Sequence, residues 1–300
     1  MLSIAFDPIY RLPLPERHRF PMDKYDLLPR QLLHEGICSP DDFHSPQKAT
    51  LEQVCAVHHS NYVQRLLAEN LTAKEVRSIG FPLTSQLITR EFVIAGGTLW
   101  GCHQALEKGI AFNIAGGTHH AFRGHGEAFC LLNDQAIAAQ YLLDQKQAQK
   151  ILIIDLDVHQ GNGTAAIFQE ETRVFTFSMH GAKNYPFRKE ISDLDIPMAD
   201  HADDELFLAE LQKALPKLLE DVQPDFVFYL SGVDVLATDK LGRLGMTLEG
   251  CKERDRMVLD FCHQNQLPVQ CSMGGGYSEA LKIIIDAHAN TYRVAREIYT

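Results

Sequence analysis

The chain has 300 residues, 45% of them hydrophobic, and a formal net charge of -11. That length suits one large domain or two ordinary ones with a sizeable core, and the composition excludes disordered, collagen-like and low-complexity chains. An acidic surface repels phosphate backbones, which argues against direct nucleic-acid binding and favours a cationic or neutral substrate.

In chain order, the opening MLSIAFDPIY reaches Asp7 and Pro8 too early for a signal peptide. Residues 2–6 read as a strand. Pro8, Pro13, Pro15, Pro21 and Pro29 then predict irregular segments laid over the sheet through the first eighty residues, with one helix near 59–69. A helix over 84–108 follows, N-capped by Thr84. Strands are expected at 110–114, 151–154, 174–177, 225–230 and 268–272. Helices are expected near 133–147, 204–220, 247–265 and 279–297, the last capped by Ser278. Most strand runs are apolar on both faces, as in a parallel sheet covered on two sides. The alternation predicts a three-layer α/β/α fold with a mostly parallel central sheet. With no internal repeat and no Gly/Ser-rich or Pro-rich linker, one domain over residues 1–300 is the simpler reading. No run approaches the ~20 apolar residues of a bilayer span. The seven cysteines are odd in number and include no Cys-x-x-Cys pair, so a reducing, cytoplasmic setting is favoured over a disulfide framework.

Polar residues fall just past five of the strands. They are Gly116-Gly117-Thr118-His119-His120, Asp155-Leu156-Asp157-Val158-His159, Ser178-Met179-His180, Ser231-Gly232-Val233-Asp234 and Gly274-Gly275-Gly276-Tyr277. In open α/β sheets, sites form in the crevice outside the carboxyl ends of the strands.

Each group suggests a chemistry. In an extended segment Asp155, Asp157 and His159 point to one side. Two carboxylates and an imidazole suit a hard-to-borderline cation, with Asp234 supplying a ligand from a neighbouring strand. Three protein ligands leave the open position of a catalytic zinc site. Spacing alone leaves open which of the aspartates bind. Gly161 and Gly163 allow a sharp turn into a helix near Thr164, with Asn162 within reach of a histidine. His119 and His120 offer a base for a water and an acid for a departing amine. Tyr277 presents a phenol to an oxyanion. Phe129 and Tyr185 suit the walls of a narrow tunnel. The histidines outside these segments, His18 and His288 among them, are read as structural or surface residues. No phosphate-binding loop signature occurs.

Taken together, G-G-T-H-H-A at 116–121, A-F-C-L-L-N-D at 128–134, I-D-L-D-V-H-Q-G-N-G-T at 154–164, G-V-D-V-L at 232–236, D-K-L-G at 239–242 and G-G-G-Y at 274–277 resemble the histone deacetylase superfamily. P-E-R-H-R-F-P-M at 15–22 is similar to its N-terminal segment, so the resemblance covers almost the whole chain. It looks closest to class IV and bacterial members. The resemblance implies the arginase/deacetylase fold and zinc ligands at Asp157, His159 and Asp234. It makes Asp155 the partner of His119, and Asn162 the partner of His120 where class I enzymes carry aspartate. His120 becomes general base and acid, and Tyr277 the transition-state tyrosine. Phe129, Tyr185, Leu241, Gly275 and Gly276 line the substrate tunnel. Arg17 corresponds to an arginine in an internal cavity. Ser178 and Met179, with Asp155, Asp157 and His159, match a structural potassium site. No residue matches the rim aspartate with which class I enzymes hold a peptide backbone.

The implied activity is removal of an acetyl or other acyl group from a lysine side chain or similar N-acyl amine. A zinc-activated water would attack, His120 would take its proton and Tyr277 would hold the oxyanion. The ligand set would also accept Fe2+ or Mn2+. Weighed against this are a two-manganese ureohydrolase, which needs more ligands than are found, and a binding module with a decayed site. Acetylpolyamine and long-chain acyl-lysine remain open as substrates.

Overall fold

Short Val-, Ile- and Phe-rich runs build the centre of the molecule, and longer amphipathic segments cover it. The computed structural model describes residues 2–16 and 18–300; Arg17 lies outside them. The first part of the chain forms β1 (Ile4–Ala5), α1 (Lys24–His34), β2 (Phe43–His44), α2 (Leu51–Cys55), α3 (Ser60–Leu67), α4 (Ala73–Ile79), α5 (Ser85–Lys108) and β3 (Ile110–Asn113). There follow α6 (Asp134–Asp144), β4 (Ile151–Asp155), α7 (Asn162–Phe168), β5 (Val174–Gly181) and β6 (Leu194–Met198). The chain ends with α8 (Asp204–Val222), β7 (Phe226–Leu230), α9 (Leu248–Gln264), β8 (Val269–Ser272) and α10 (Leu281–Tyr299).

The strands make a sheet ordered β2-β1-β3-β8-β7-β4-β5-β6. Every pair is parallel. β7, at its middle, and the adjacent β4 are buried along their whole length, which is why their sequences read as apolar runs. α5 packs against α6 and against β1, β3 and β8, while α1, α10, α9 and α8 pack in a row. Thr84 caps α5 by accepting from the Leu87 N–H. Asn133, Asp203 and Thr247 cap α6, α8 and α9 in the same way. The seven cysteines are free thiols. Among the described residues no helix is long and apolar enough to cross a membrane.

The structure departs from the sequence expectations in three places. The first eighty residues are more regular than their prolines suggest. They hold two short strands and four helices, and α1 runs through Pro29. A proline removes one backbone donor, and the burial of Tyr25, Leu28 and Leu32 offsets that loss. β6 is an edge strand containing Asp195 and Pro197, so it lacks the apolar run of a central strand. Ser278 does not cap α10. That helix starts at Leu281, and the Ser278 hydroxyl instead bonds Thr238 Oγ1 at 2.8 Å.

Candidate active site

The loops leaving β3, β4, β7 and β8 converge at one end of the sheet. After β3, the His119-His120 loop is pinned to the start of α6. Thr118 donates to Asp134 Oδ1 from both its amide (2.9 Å) and its hydroxyl (2.7 Å). His119 Nδ1 meets Asp155 Oδ2 at 2.7 Å, and His120 Nδ1 meets Asn162 Oδ1 at 2.6 Å. The amide oxygen of Asn162 can only accept, so His120 Nδ1 carries the proton and Nε2 keeps its lone pair.

β4 stops at Asp155, and the alternation expected of an extended segment stops with it. The chain turns instead. Asp155 Oδ1 accepts from the Asp157 N–H and Asp157 Oδ1 from the His159 N–H. This turn separates Asp155, facing His119, from Asp157 and His159. Asp157, His159 and Asp234 are all buried, with one ligand atom from each within 4.8 Å of the others. His159 Nδ1 lies 3.0 Å from Asp157 Oδ1 and 3.1 Å from Asp234 Oδ2. The outer carboxylate oxygens are fixed too: Asp234 Oδ1 accepts from the Val158 N–H and Asp157 Oδ2 from the Gly275 N–H. That last contact explains the residue type at 275, since a Cβ there would collide with Asp234 Oδ2.

The electrostatics suit a cation. Burial and the charge of Asp157 push the Asp234 carboxyl up to about 7. Burial also opposes a charged His159, yet hydrogen bonds to Asp157 and Asp234 raise it to about 10. Two buried carboxylates this close favour positive charge between them. This donor set of two carboxylates and an imidazole fits a divalent metal of borderline hardness.

The two neighbouring histidines differ. Burial disfavours the charged form of His119, but the Asp155 charge outweighs it and the pKa is raised. Burial together with the nearby His119 and His159 drives His120 well below its ordinary value. Burial also keeps the Tyr277 phenol protonated.

A cavity of about 650 Å³ leads to this point, with His120, His159 and Tyr277 among its lining residues. Phe129, Tyr185 and Leu241 line it as well. Ala128 and Phe129 adopt the left-handed region at φ 43° and 69°. Their amides donate to Ser78 O and Ile79 O at the end of α4, which holds that strained turn in place. Tyr185 donates its hydroxyl to Glu127, and its ring stands edge-on to His120 with centroids 5.0 Å apart. Of the glycines expected in the tunnel, Gly275 borders the inner recess, while a Cβ on Gly276 would meet Val233, Ile284 and His288. Ser178 and Met179 are buried on β5, with Ser178 in register with Asp155.

Several supporting residues escaped sequence reasoning. Arg254 on α9 is fully buried and donates to Leu156 O (3.1 Å) and Gly232 O (2.6 Å), bracing the loops that carry Asp157 and Asp234. Lys24 on α1 is fully buried and donates to Gly274 O at 3.0 Å; burial pulls its ammonium down to about 8. Asp239 accepts from the Tyr277 N–H at 2.6 Å and also from the amides of Leu241 and Gly242. Asp239 sits in a motif that the sequence had singled out. Lys24 and Arg254 carried no local signal.

Comparison with known proteins agrees with this geometry. The histone deacetylase domain model matches residues 18–292. An uncharacterised protein of Picosynechococcus sp. is 44% identical, covering 99% of each chain. Histone deacetylase 2 of Arabidopsis thaliana is 29% identical over 97% of this chain and 79% of its own. A solved histone deacetylase homologue complexed with SAHA superposes with a TM-score of 0.84 at 23% identity, covering 99% of this chain and 84% of that one, and so shares the fold. The chain belongs to the histone deacetylase family, whose members are deacetylases acting on amide bonds.

Proposed function

We propose that the protein, acting as one catalytic unit, hydrolyses the amide of an N-acyl-lysine, most simply acetyl-lysine, or of a similar N-acyl amine. The observation that carries this reading is the meeting, at the inner end of one aromatic-walled cavity, of an imidazole that burial keeps neutral, a phenol that burial keeps protonated, and two carboxylates with an imidazole that could hold a cation. Asp157, His159 and Asp234 would hold the metal, Zn2+ in the first instance with Fe2+ or Mn2+ as alternatives. When bound, such an ion supplies Lewis acidity to a carbonyl oxygen and to water.

The chain's own groups perform the remaining steps. The substrate stem lies between Phe129 and Tyr185, with Leu241 at the rim, which excludes bulk water and orients the carbonyl. His120 Nε2 accepts a proton from the attacking water while Asn162 holds Nδ1. Tyr277 donates its hydroxyl hydrogen bond to the oxyanion. The imidazolium of His120 then returns its proton to the departing amine nitrogen. Asp155 favours the protonated form of His119, and in that form His119 adds positive charge beside the developing anion. Ser178 and Met179, with Asp155, Asp157 and His159, would cradle a structural potassium ion that stiffens the β4 turn. The free thiols fit a reducing compartment such as the cytoplasm. The resemblance to a homologue solved with SAHA supports a small-molecule-accessible site here.

The test is an acyl panel, from acetyl-lysine to long-chain acyl-lysine peptides and acetylpolyamines, run on protein loaded with Zn2+, Fe2+ or Mn2+. Release of the carboxylic acid from at least one lysine substrate is expected, with metal bound at one ion per chain. Stoichiometric metal with no release from any substrate contradicts the proposal.

A further inference from the structure

We propose that the mouth of the cavity selects acyl-lysines embedded in acidic peptide segments and turns away lysine-rich peptides and acylated polyamines. This rests on the acyl-lysine reading above and adds the chemistry of what flanks the acyl-lysine.

Arg19, Lys183, Lys240 and Arg243 all line the cavity. They come from three separate stretches: the segment before α1, the turn after β5, and the loop between β7 and α9. None of the lining side chains is an aspartate or glutamate among the described residues, although Asp157 and Asp234 lie at the inner end and Glu127 and Asp239 bond to the lining residues Tyr185 and Tyr277. The chain as a whole carries 39 acidic residues against 28 basic ones, so the mouth is opposite in sign to the overall surface. Asp200 also offsets part of this charge, lying 3.6 Å from Lys183 and 3.0 Å from Arg243. The guanidinium of Arg19 sits 4.9 Å over the Phe129 ring, so one cation is already stacked on the channel wall.

Any one exposed lysine is ordinarily just solvated. Four cations converging on one concavity repel each other, and a concave mouth focuses their field outward. When an acyl-lysine enters the channel, neighbours one and two positions away lie about 3.5–7 Å along an extended chain, within reach of these side chains. Carboxylates there meet complementary charge. The free ammonium groups of a polyamine or a lysine-rich peptide meet repulsion, so selection acts against them as well as for acidic segments. The expectation from net charge, that a cationic or neutral substrate is favoured, is therefore reversed locally for cationic substrates.

The test uses metal-loaded protein and labelled peptides of equal length, each with a central acetyl-lysine flanked by Glu, Gln or Lys. Fluorescence anisotropy is measured with the Tyr277→Phe variant, in which turnover is slowed, and acetate release with the wild type. The Glu-flanked peptide should bind about tenfold tighter than the Lys-flanked one at low salt, as expected of two or three exposed ion pairs. That ratio should shrink as salt shortens the Debye length. The double variant Lys240→Glu, Arg243→Glu, at two exposed positions, should invert the order. Equal binding of the three peptides, or a preference that survives the charge reversal, overturns the proposal. Charge-dependent binding with no acetate release from any peptide keeps the proposal and overturns the hydrolytic reading. Acetate release with no charge preference does the opposite.

Discussion

The Asp155 side and the Asn162 side of the site contain the same side chain in nearly the same place, and they treat it in opposite ways. His119 and His120 are adjacent in sequence, both are buried, and their ring centroids are 4.1 Å apart. Asp155 gives His119 a charged partner and raises its pKa; Asn162 gives His120 a neutral one, and burial lowers its pKa. The charged partner thus favours protonation of one imidazole, while burial and the neighbouring His119 and His159 leave the other free to take a proton. Two like groups with pKa values pushed apart are a sign of divided acid and base roles.

Removing the neutral imidazole should break this arrangement most. His120→Ala is expected to lower kcat by roughly 10²–10⁴ while metal content stays at one per chain; kinetics beside elemental analysis of the same sample checks both halves. Tyr277→Phe should cost about 10²–10³ in kcat with little change in KM, since its hydroxyl is needed mainly once the oxyanion forms. On the charged side, Asp155→Asn should cost about 10–100-fold, the usual effect of losing a supporting hydrogen-bond partner in a metal site. The same variant should lower the pKa of His119, which a ¹⁵N titration of the two imidazoles reads directly.

Much of this site is legible in the sequence because it is local. Each strand end delivers its polar residues within a few positions of an apolar run, and Asp155, Asp157 and His159 follow I-L-I-I without a break. What is hidden depends on distance in sequence. Arg254-Asp255 reads as an ordinary pair on a helix surface, yet both side chains are fully buried. Tyr229 and Thr291, 26 and 36 positions away, donate to Asp255, and Arg254 reaches the carbonyl of Leu156, 98 positions away. Lys24 likewise reaches Gly274 across 250 positions. A charge can stay buried only if such partners exist, and no local pattern announces them. The edge strands β2 and β6 were missed for a related reason. β2 has only two residues, and β6 is paired on one side alone, so neither needs a continuous apolar run.

The pH dependence of kcat/KM in wild type and Asn162→Asp tests most directly the claim that His120 is held neutral by its surroundings. If His120 is the base, its neutral form accepts the proton, so activity should fall as pH drops through the pKa of His120, which lies well below its ordinary value. A carboxylate at position 162 favours the imidazolium and raises that pKa. The acid limb of the variant should therefore move up by about 1–3 pH units, while the basic limb stays in place. An acid limb that does not move, or that moves down, would contradict the assignment of His120 as the base.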